Sequence, residues 1–237
     1  MTNAVTFVLI HSPLVGPFTW ELVRRELTQR HIDVVVPPLI DRPDSTQPYW
    51  QQHASSVAQG LDRIPHDHRL VLVAHSGAGP LLPVIRQVLP HSIGGYVFVD
   101  AGLPRNGLSR LDLMKLQDQV WAADFQQALL RGERFPDWTS DALADIIPAE
   151  NLRRQLLAEL QPRSWPFFIE PIPVFHAWPD AACAYIQFSP PYAWDAQQAK
   201  SIGWPVREVN AGHFHMLVDP RSVADWIVAA RSVLNVL

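Results

Sequence analysis

Apolar residues fall into two alternating patterns over the first hundred positions. Short, nearly continuous apolar runs at Val5–Ile10, Ile32–Val36, Leu70–Ala74 and Tyr96–Val99 read as strands buried on both faces of a parallel sheet. Between them lie stretches at helical spacing. Phe18–Gln29 carries Trp20, Leu22, Val23 and Leu27 as one stripe, Tyr49–Leu61 a weaker one, and Leu81–Leu89 opens just after Pro80, a residue suited to a first helical turn. Strands alternating with helices predict an α/β fold with a mostly parallel central sheet.

Residues 104–170 break the rhythm. They hold no strand-like run, but helical ones over Leu108–Arg131 and Ser140–Leu160, with Trp121, Trp138 and Trp165 scattered among them. The strand rhythm then returns: Pro173–Ala177 reads as a strand, Trp194–Ile202 as a helix, Pro205–Val209 as a strand. Pro220–Val236 reads as a closing helix with Val223, Trp226, Ile227, Ala230 and Val233 on one face. The simplest architecture is one sheet domain with a helical insertion over one end.

Composition narrows the class. A chain of 237 residues, 48% hydrophobic and 18% charged, is long enough for one large domain with an insertion. A single cysteine, Cys183, excludes an internal disulfide and any cysteine-rich zinc module, and reads as a small buried residue. Net charge of −4 argues against a nucleic-acid partner. No apolar run approaches the roughly 18–20 residues of a membrane helix. Met1-Thr2-Asn3-Ala4 lacks the basic start of a signal peptide, so the expected location is cytoplasmic. Ten histidines invite a metal, but His66-Asp67-His68 lies in a polar turn and no ligand-spaced run occurs; no metal and no cofactor is expected. His176 reads as a core histidine within its strand, and Arg105, Arg110 and Lys115 as a solvated face of the insertion.

The candidate chemistry begins at Val71-Leu72-Val73-Ala74-His75-Ser76-Gly77-Ala78-Gly79. A buried strand runs into a turn of small residues and then a helix. Ser76 at that apex projects its hydroxyl at the carboxyl edge of the sheet, and the helix amides behind it favour developing negative charge. Ala74 and Ala78 are the small residues flanking it, a relaxed Gly-x-Ser-x-Gly. The base is sought in Asn210-Ala211-Gly212-His213-Phe214-His215, after the last strand. His213, directly after Gly212, is preferred over His215, which reads as packing. The acid expected after a late strand is Asp180, completing the chain order Ser76, Asp180, His213; Asp100, at the end of Tyr96–Val99, and Asp195, inside a helix, are the alternatives. The loop His11-Ser12-Pro13-Leu14-Val15-Gly16 after the first strand faces the same edge and would supply an oxyanion donor beside the Gly77 amide.

Taken together, His11, Gly16 and Trp20 in one motif, His75 and Ser76 in a second, and His213, Met216 and Leu217 in a third resemble the α/β-hydrolase fold superfamily. The likeness is to its small capped esterases, related to plant methyl-ester hydrolases and hydroxynitrile lyases. The resemblance implies an α/β-hydrolase core over 1–103 and 171–237, a helical cap over 104–170, a Ser–His–Asp triad and no cofactor. It also marks two departures. Ser12 stands for a glycine, and Pro13 stands where the family offers an oxyanion N–H that proline lacks, leaving Ser12 or Leu14 as donor. His11, His75, Phe214 and the three insertion tryptophans are the candidate pocket residues, the tryptophans reading equally as glue between insertion and core. The leading reading is a serine hydrolase of a small carboxylic ester. A lyase-type enzyme on the same fold and a ligand-binding protein with a triad-like site are the alternatives. The expected partner is a small-molecule substrate; a homodimer is left open, and a membrane or nucleic-acid partner is not expected.

Overall fold

A computed structural model describes residues 4–42 and 44–233, with side chains in the last helix as far as Ala230. Met1–Asn3 of the amino-terminal reading, and the Val233 side chain and Val236 of the closing helix, lie outside the described residues. The strands are β1 (Val5–Ile10), β2 (Asp33–Val35), β3 (Arg69–Ser76), β4 (Ile93–Ala101), β5 (Cys183–Gln187) and β6 (Val206–Glu208). They form one parallel sheet in the order β2-β1-β3-β4-β5-β6. Each crossover carries helix: α1 (Phe18–Gln29), α2 (Tyr49–Gly60), α3 (Leu82–Val88) and α8 (Ala193–Ser201), with α9 (His215–Val218) and α10 (Pro220–Val233) closing the chain.

The sheet is buried on both faces because its strands alternate within wholly apolar runs. Phe7, Leu9, Val71, Val73, Val97 and Val99 face one side, with Trp20, Val23 and Leu27 of α1 and Val223 and Ile227 of α10. Val8, Ile10, Leu70, Leu72, Tyr96 and Phe98 face the other, with Val57 of α2, Ile85 of α3 and Ala199 of α8. The two central strands, β3 and β4, are buried along nearly their whole length, which fixes their carboxyl ends in space.

Between β4 and β5 run α4 (Arg110–Gln117), α5 (Gln119–Leu130), α6 (Glu150–Ala158) and α7 (Trp165–Ile169). The expected helix Leu108–Arg131 is two helices, because Asp118 adopts an extended φ of −151° and its carboxylate caps α5 by accepting the Val120 and Trp121 amides. Of the expected helix Ser140–Leu160 only α6 forms; Pro148 interrupts the segment before it and turns occupy the rest. Arg110 is not part of a solvated face. It is buried, its guanidinium lies 3.9 Å from the centre of the Phe167 ring, and burial lowers its pKa to about 10.

The largest correction lies at Pro173–Ala177, which is irregular chain and not a strand. Pro171 and Pro173 withhold amides that a sheet ladder needs. The true strand, β5, begins ten residues later, so His176 is an exposed loop residue, and Asp180 comes before the strand it was expected to follow.

Candidate active site

Ser76 is the last residue of β3 and takes a left-handed φ of +57°, a conformation uncommon outside glycine. The chain turns sharply here, the Ala78 amide donating to the His75 carbonyl at 3.0 Å. The turn packs so closely on the end of β4 that a Cβ on Gly79 would lie 2.1 Å from the Gly102 carbonyl oxygen. Small residues at the elbow are therefore a steric requirement.

His213 arrives on the loop after β6. The Val209 and Ala211 amides donate to the carbonyls of Gln187 and Phe188, prolonging the β5–β6 pairing toward the same rim. His213 Nε2 stands 3.1 Å from Ser76 Oγ, and Nδ1 stands 2.7 Å from Asp100 Oδ2. Asp100 sits near the end of β4, fully buried, with φ of +45°. Its Oδ1 accepts the Phe188 and Ser189 amides at 2.8 and 2.9 Å, and its Oδ2 accepts the Ser189 hydroxyl at 2.5 Å. The carboxylate is thus held on three donors from the end of β5 while it faces the imidazole.

The acid beside His213 is therefore Asp100, in place of the expected Asp180. Asp180, on the amino-terminal side of β5, accepts from Arg86 at 2.7 Å and from the Tyr96 hydroxyl at 2.5 Å. Asp195, the third alternative, is buried in α8 and accepts from the Leu103 amide and the Gln117 side chain; burial raises its pKa to about 6. His215 packs between Phe188 and Trp226, away from Ser76.

The loop after β1 lies against Gly77: a Cβ there would meet Ser12 Oγ at 3.3 Å and Pro13 Cδ at 3.7 Å. The Pro13 carbonyl accepts from Arg163 Nε and Nη2 at 3.2 and 2.9 Å. In a trans peptide the next N–H points the opposite way. The Leu14 N–H accordingly points to Ser12 Oγ, at 3.3 Å, on the Gly77 side. Gly77, Ser12 and Leu14 are thus gathered at one place despite Pro13.

The candidate pocket residues divide. His11 is 2% exposed and spends its ring nitrogens on the Ser12 carbonyl and the Leu39 amide. His75 is fully buried, donates to the His213 carbonyl at 3.0 Å and packs tilted against that ring, with 4.4 Å between centroids. Desolvation holds both imidazoles well below their ordinary pKa. Both rings are spent on hydrogen bonds that brace the loops around Ser76. Phe214 packs edge-on to His213, and Trp138 edge-on to Phe214, joining the insertion to the site. Trp165 packs partly buried among the insertion's own aromatics. Trp121 is half exposed, stacked on Phe125.

One residue at the centre is absent from the sequence reading. Tyr192, in a short 3-10 turn between β5 and α8, places its hydroxyl 3.0 Å from Ser76 Oγ, and its ring stacks on His213 at 5.1 Å with 6° between planes. A tyrosine in a Pro-Pro-Tyr loop carries no pattern that would have marked it. A cavity of about 510 Å³ bordered by Asp41, Tyr49, Arg163 and Glu170 does not include Ser76 or His213 in its lining. Among the described residues no cluster of three or more His, Cys, Asp or Glu side chains is arranged to hold a metal ion.

Residues 7–226 match the model of a family described as "Alpha/beta hydrolase family". The chain belongs to that family. Solved alpha/beta hydrolases of the same architecture include an extracellular alpha/beta-hydrolase from a Paenibacillus species, 20% identical, with a TM-score of 0.74 over 95% of this chain and 98% of that one. Tomato methylketone synthase I, in complex with 2-tridecanone, is 13% identical with a TM-score of 0.74 over 99% and 100% of the two chains. A pyrethroid hydrolase from Sphingobium faniae JZ-2 is 20% identical with a TM-score of 0.70 over 97% and 98%. No curated protein sequence matches the chain. No described helix of this alpha/beta hydrolase is long and apolar enough to cross a membrane.

Proposed function

We propose that this alpha/beta hydrolase cleaves a small carboxylic ester through a covalent acyl-serine, with Ser76, His213 and Asp100 as its triad. The observation that carries the reading is the unbroken line from Ser76 Oγ to His213 Nε2 at 3.1 Å and from Nδ1 to Asp100 at 2.7 Å. With its Nδ1 proton held on Asp100, His213 presents a free Nε2 lone pair to the serine hydroxyl. The Ser76 proton passes to Nε2 as Oγ attacks the ester carbon. The carbonyl oxygen takes the electron pair and rests on the Gly77 N–H and a donor from Ser12 or Leu14. The intermediate collapses as the ester C–O bond breaks and the proton moves from Nε2 to the leaving alcohol. Water then repeats the sequence against the acyl-serine.

Residues 104–170 would serve as the cap, with Trp138 and Phe214 forming an apolar wall beside the imidazole. The names of the pyrethroid hydrolase and of a polyneuridine aldehyde esterase, 18% identical with a TM-score of 0.72 over 96% of this chain and 98% of that one, agree with ester chemistry. The test is a fluorophosphonate probe followed by peptide mapping, beside turnover of a chromogenic short-chain ester. The expected adduct is on Ser76, with turnover abolished in Ser76→Ala. Full turnover by that variant overturns the covalent role, and absence of an adduct on the wild-type chain favours lyase-type chemistry.

A further inference from the structure

We propose that Tyr192 is a fourth catalytic residue, a hydrogen-bond donor to the serine oxygen as its charge develops; this rests on the serine-hydrolase reading above. The protons available at Ser76 Oγ decide the roles of its two partners. Ser76 has a single hydroxyl proton. His213 Nδ1 faces Asp100 at 2.7 Å, so its proton belongs there and Nε2 is the acceptor, 3.1 Å from Oγ. The Ser76 proton is thereby committed to His213. Tyr192, the other partner of Oγ at 3.0 Å, must then be the donor. Desolvation keeps the Tyr192 phenol well above its ordinary pKa, so it retains the proton it donates.

The ring geometry makes that donor a rigid one. Tyr192 and His213 lie nearly parallel, 6° apart, so the phenol oxygen and Nε2 converge on Oγ side by side. The chain also clamps Tyr192 from behind: its amide donates to the Ser189 carbonyl at 3.2 Å, and Ser189 itself is bonded to Asp100. Acid and phenol are thus tied to the one segment that follows β5.

Protons balance without ionising the tyrosine. As the Oγ–H bond breaks, its proton goes to Nε2 and the Tyr192 hydrogen bond to Oγ shortens on the growing negative charge. As the Oγ–C bond forms, that charge moves to the carbonyl oxygen. When the ester C–O bond breaks, Nε2 returns the proton to the leaving oxygen, and Tyr192 is unchanged. The oxyanion side is served separately, from Gly77 and the loop after β1. Tyr192, lying against the imidazole, acts on the nucleophile.

Tyr192→Phe keeps the ring and the stack and removes only the donor. The expected result is a second-order rate of fluorophosphonate labelling at Ser76, and a kcat for a chromogenic short-chain ester, each lower by about 10- to 100-fold, with KM and the thermal unfolding midpoint unchanged. Tyr192→His, which retains an aromatic ring and an N–H donor, recovers part of the rate. Labelling of Tyr192→Phe at or above the wild-type rate overturns the proposal, the hydroxyl then being an occupant of the substrate position. If the wild-type chain itself takes no label at Ser76, the hydrolase reading fails and this proposal with it.

Discussion

Asp100 and Asp180 separate two consequences of losing a carboxylate. Asp100 bonds His213 Nδ1 at 2.7 Å; on the proposed mechanism it faces the charge formed there, so Asp100→Asn is expected to lower kcat by about 10⁴-fold with little change in KM, as measured on a chromogenic ester. Asp180→Ala leaves kcat unchanged. Its cost is to stability: the buried Tyr96 hydroxyl loses its acceptor, worth about 1–3 kcal/mol, and a partly exposed pair with Arg86 disappears, worth about 1 kcal/mol or less. Urea unfolding of the two variants beside their kinetics checks both; loss of turnover in Asp180→Ala would contradict the assignment. Sequence could name both residues but not rank them correctly. Both are aspartates close to a strand, and the choice turned on whether Pro173–Ala177 or Cys183–Gln187 pairs with the sheet.

Two elements meet at the β1 loop, and their contact is long in sequence. Arg163, between α6 and α7, donates to the Pro13 carbonyl and is paired in turn with Asp41, which also bonds His53. Burial lowers the Arg163 pKa to about 10, which leaves it charged near neutrality. Arg163→Met frees the Pro13–Leu14 peptide to rotate and disperses the donors aimed at the oxyanion. The expected loss in kcat is about 10- to 100-fold, smaller than the effect of deleting a donor outright, with KM nearly constant; steady-state kinetics checks it. The elbow has an opposite sensitivity. Gly79→Ala drives a Cβ into the Gly102 carbonyl, which cannot move without displacing β4, and overpacking of this kind costs about 1–3 kcal/mol or more. Its measure is a lowered denaturation midpoint. The helices and strands of the first hundred residues were legible because each is a long, periodic or wholly apolar run. The stretch 104–170 was legible only as helical, because the breaks at Asp118 and Pro148 are single-residue events inside apolar periodicity.

Over the whole molecule, buried histidines set the response to acid. Desolvation lowers the pKa of His11 to about 4 and of His53 to about 3 from an ordinary 6.5, and lowers His75 in the same direction. The unfolded chain takes up these protons near pH 6.5, whereas the folded chain resists them, so the unfolded state binds more protons below that pH and stability falls as the medium is acidified. Asp195 opposes this. Its folded pKa near 6 lies above the ordinary 3.8, so the folded state holds the extra proton between those values and gains stability as pH falls through them. Three imidazoles outweigh one carboxylate. The expected outcome is a urea midpoint that drops steadily from pH 7 to 4.5, and drops more steeply in Asp195→Asn; a midpoint that rises over that range would contradict it.

The sequence by itself determined five of the six strands, the elbow and the paired motifs around Ser76 and His213, because these depend on local rules: buried strands are continuous apolar runs, and a strand-to-helix elbow needs small residues. Only the tertiary structure decided the rest. Asp100, Tyr192 and Arg163 lie 24, 116 and 87 positions from Ser76 along the chain; no local pattern marks Tyr192 or Arg163, and none ranks Asp100 above Asp180. What selects them is which strand ends meet at the rim, a property of sheet pairing that becomes defined only when β5 takes its place beside β4.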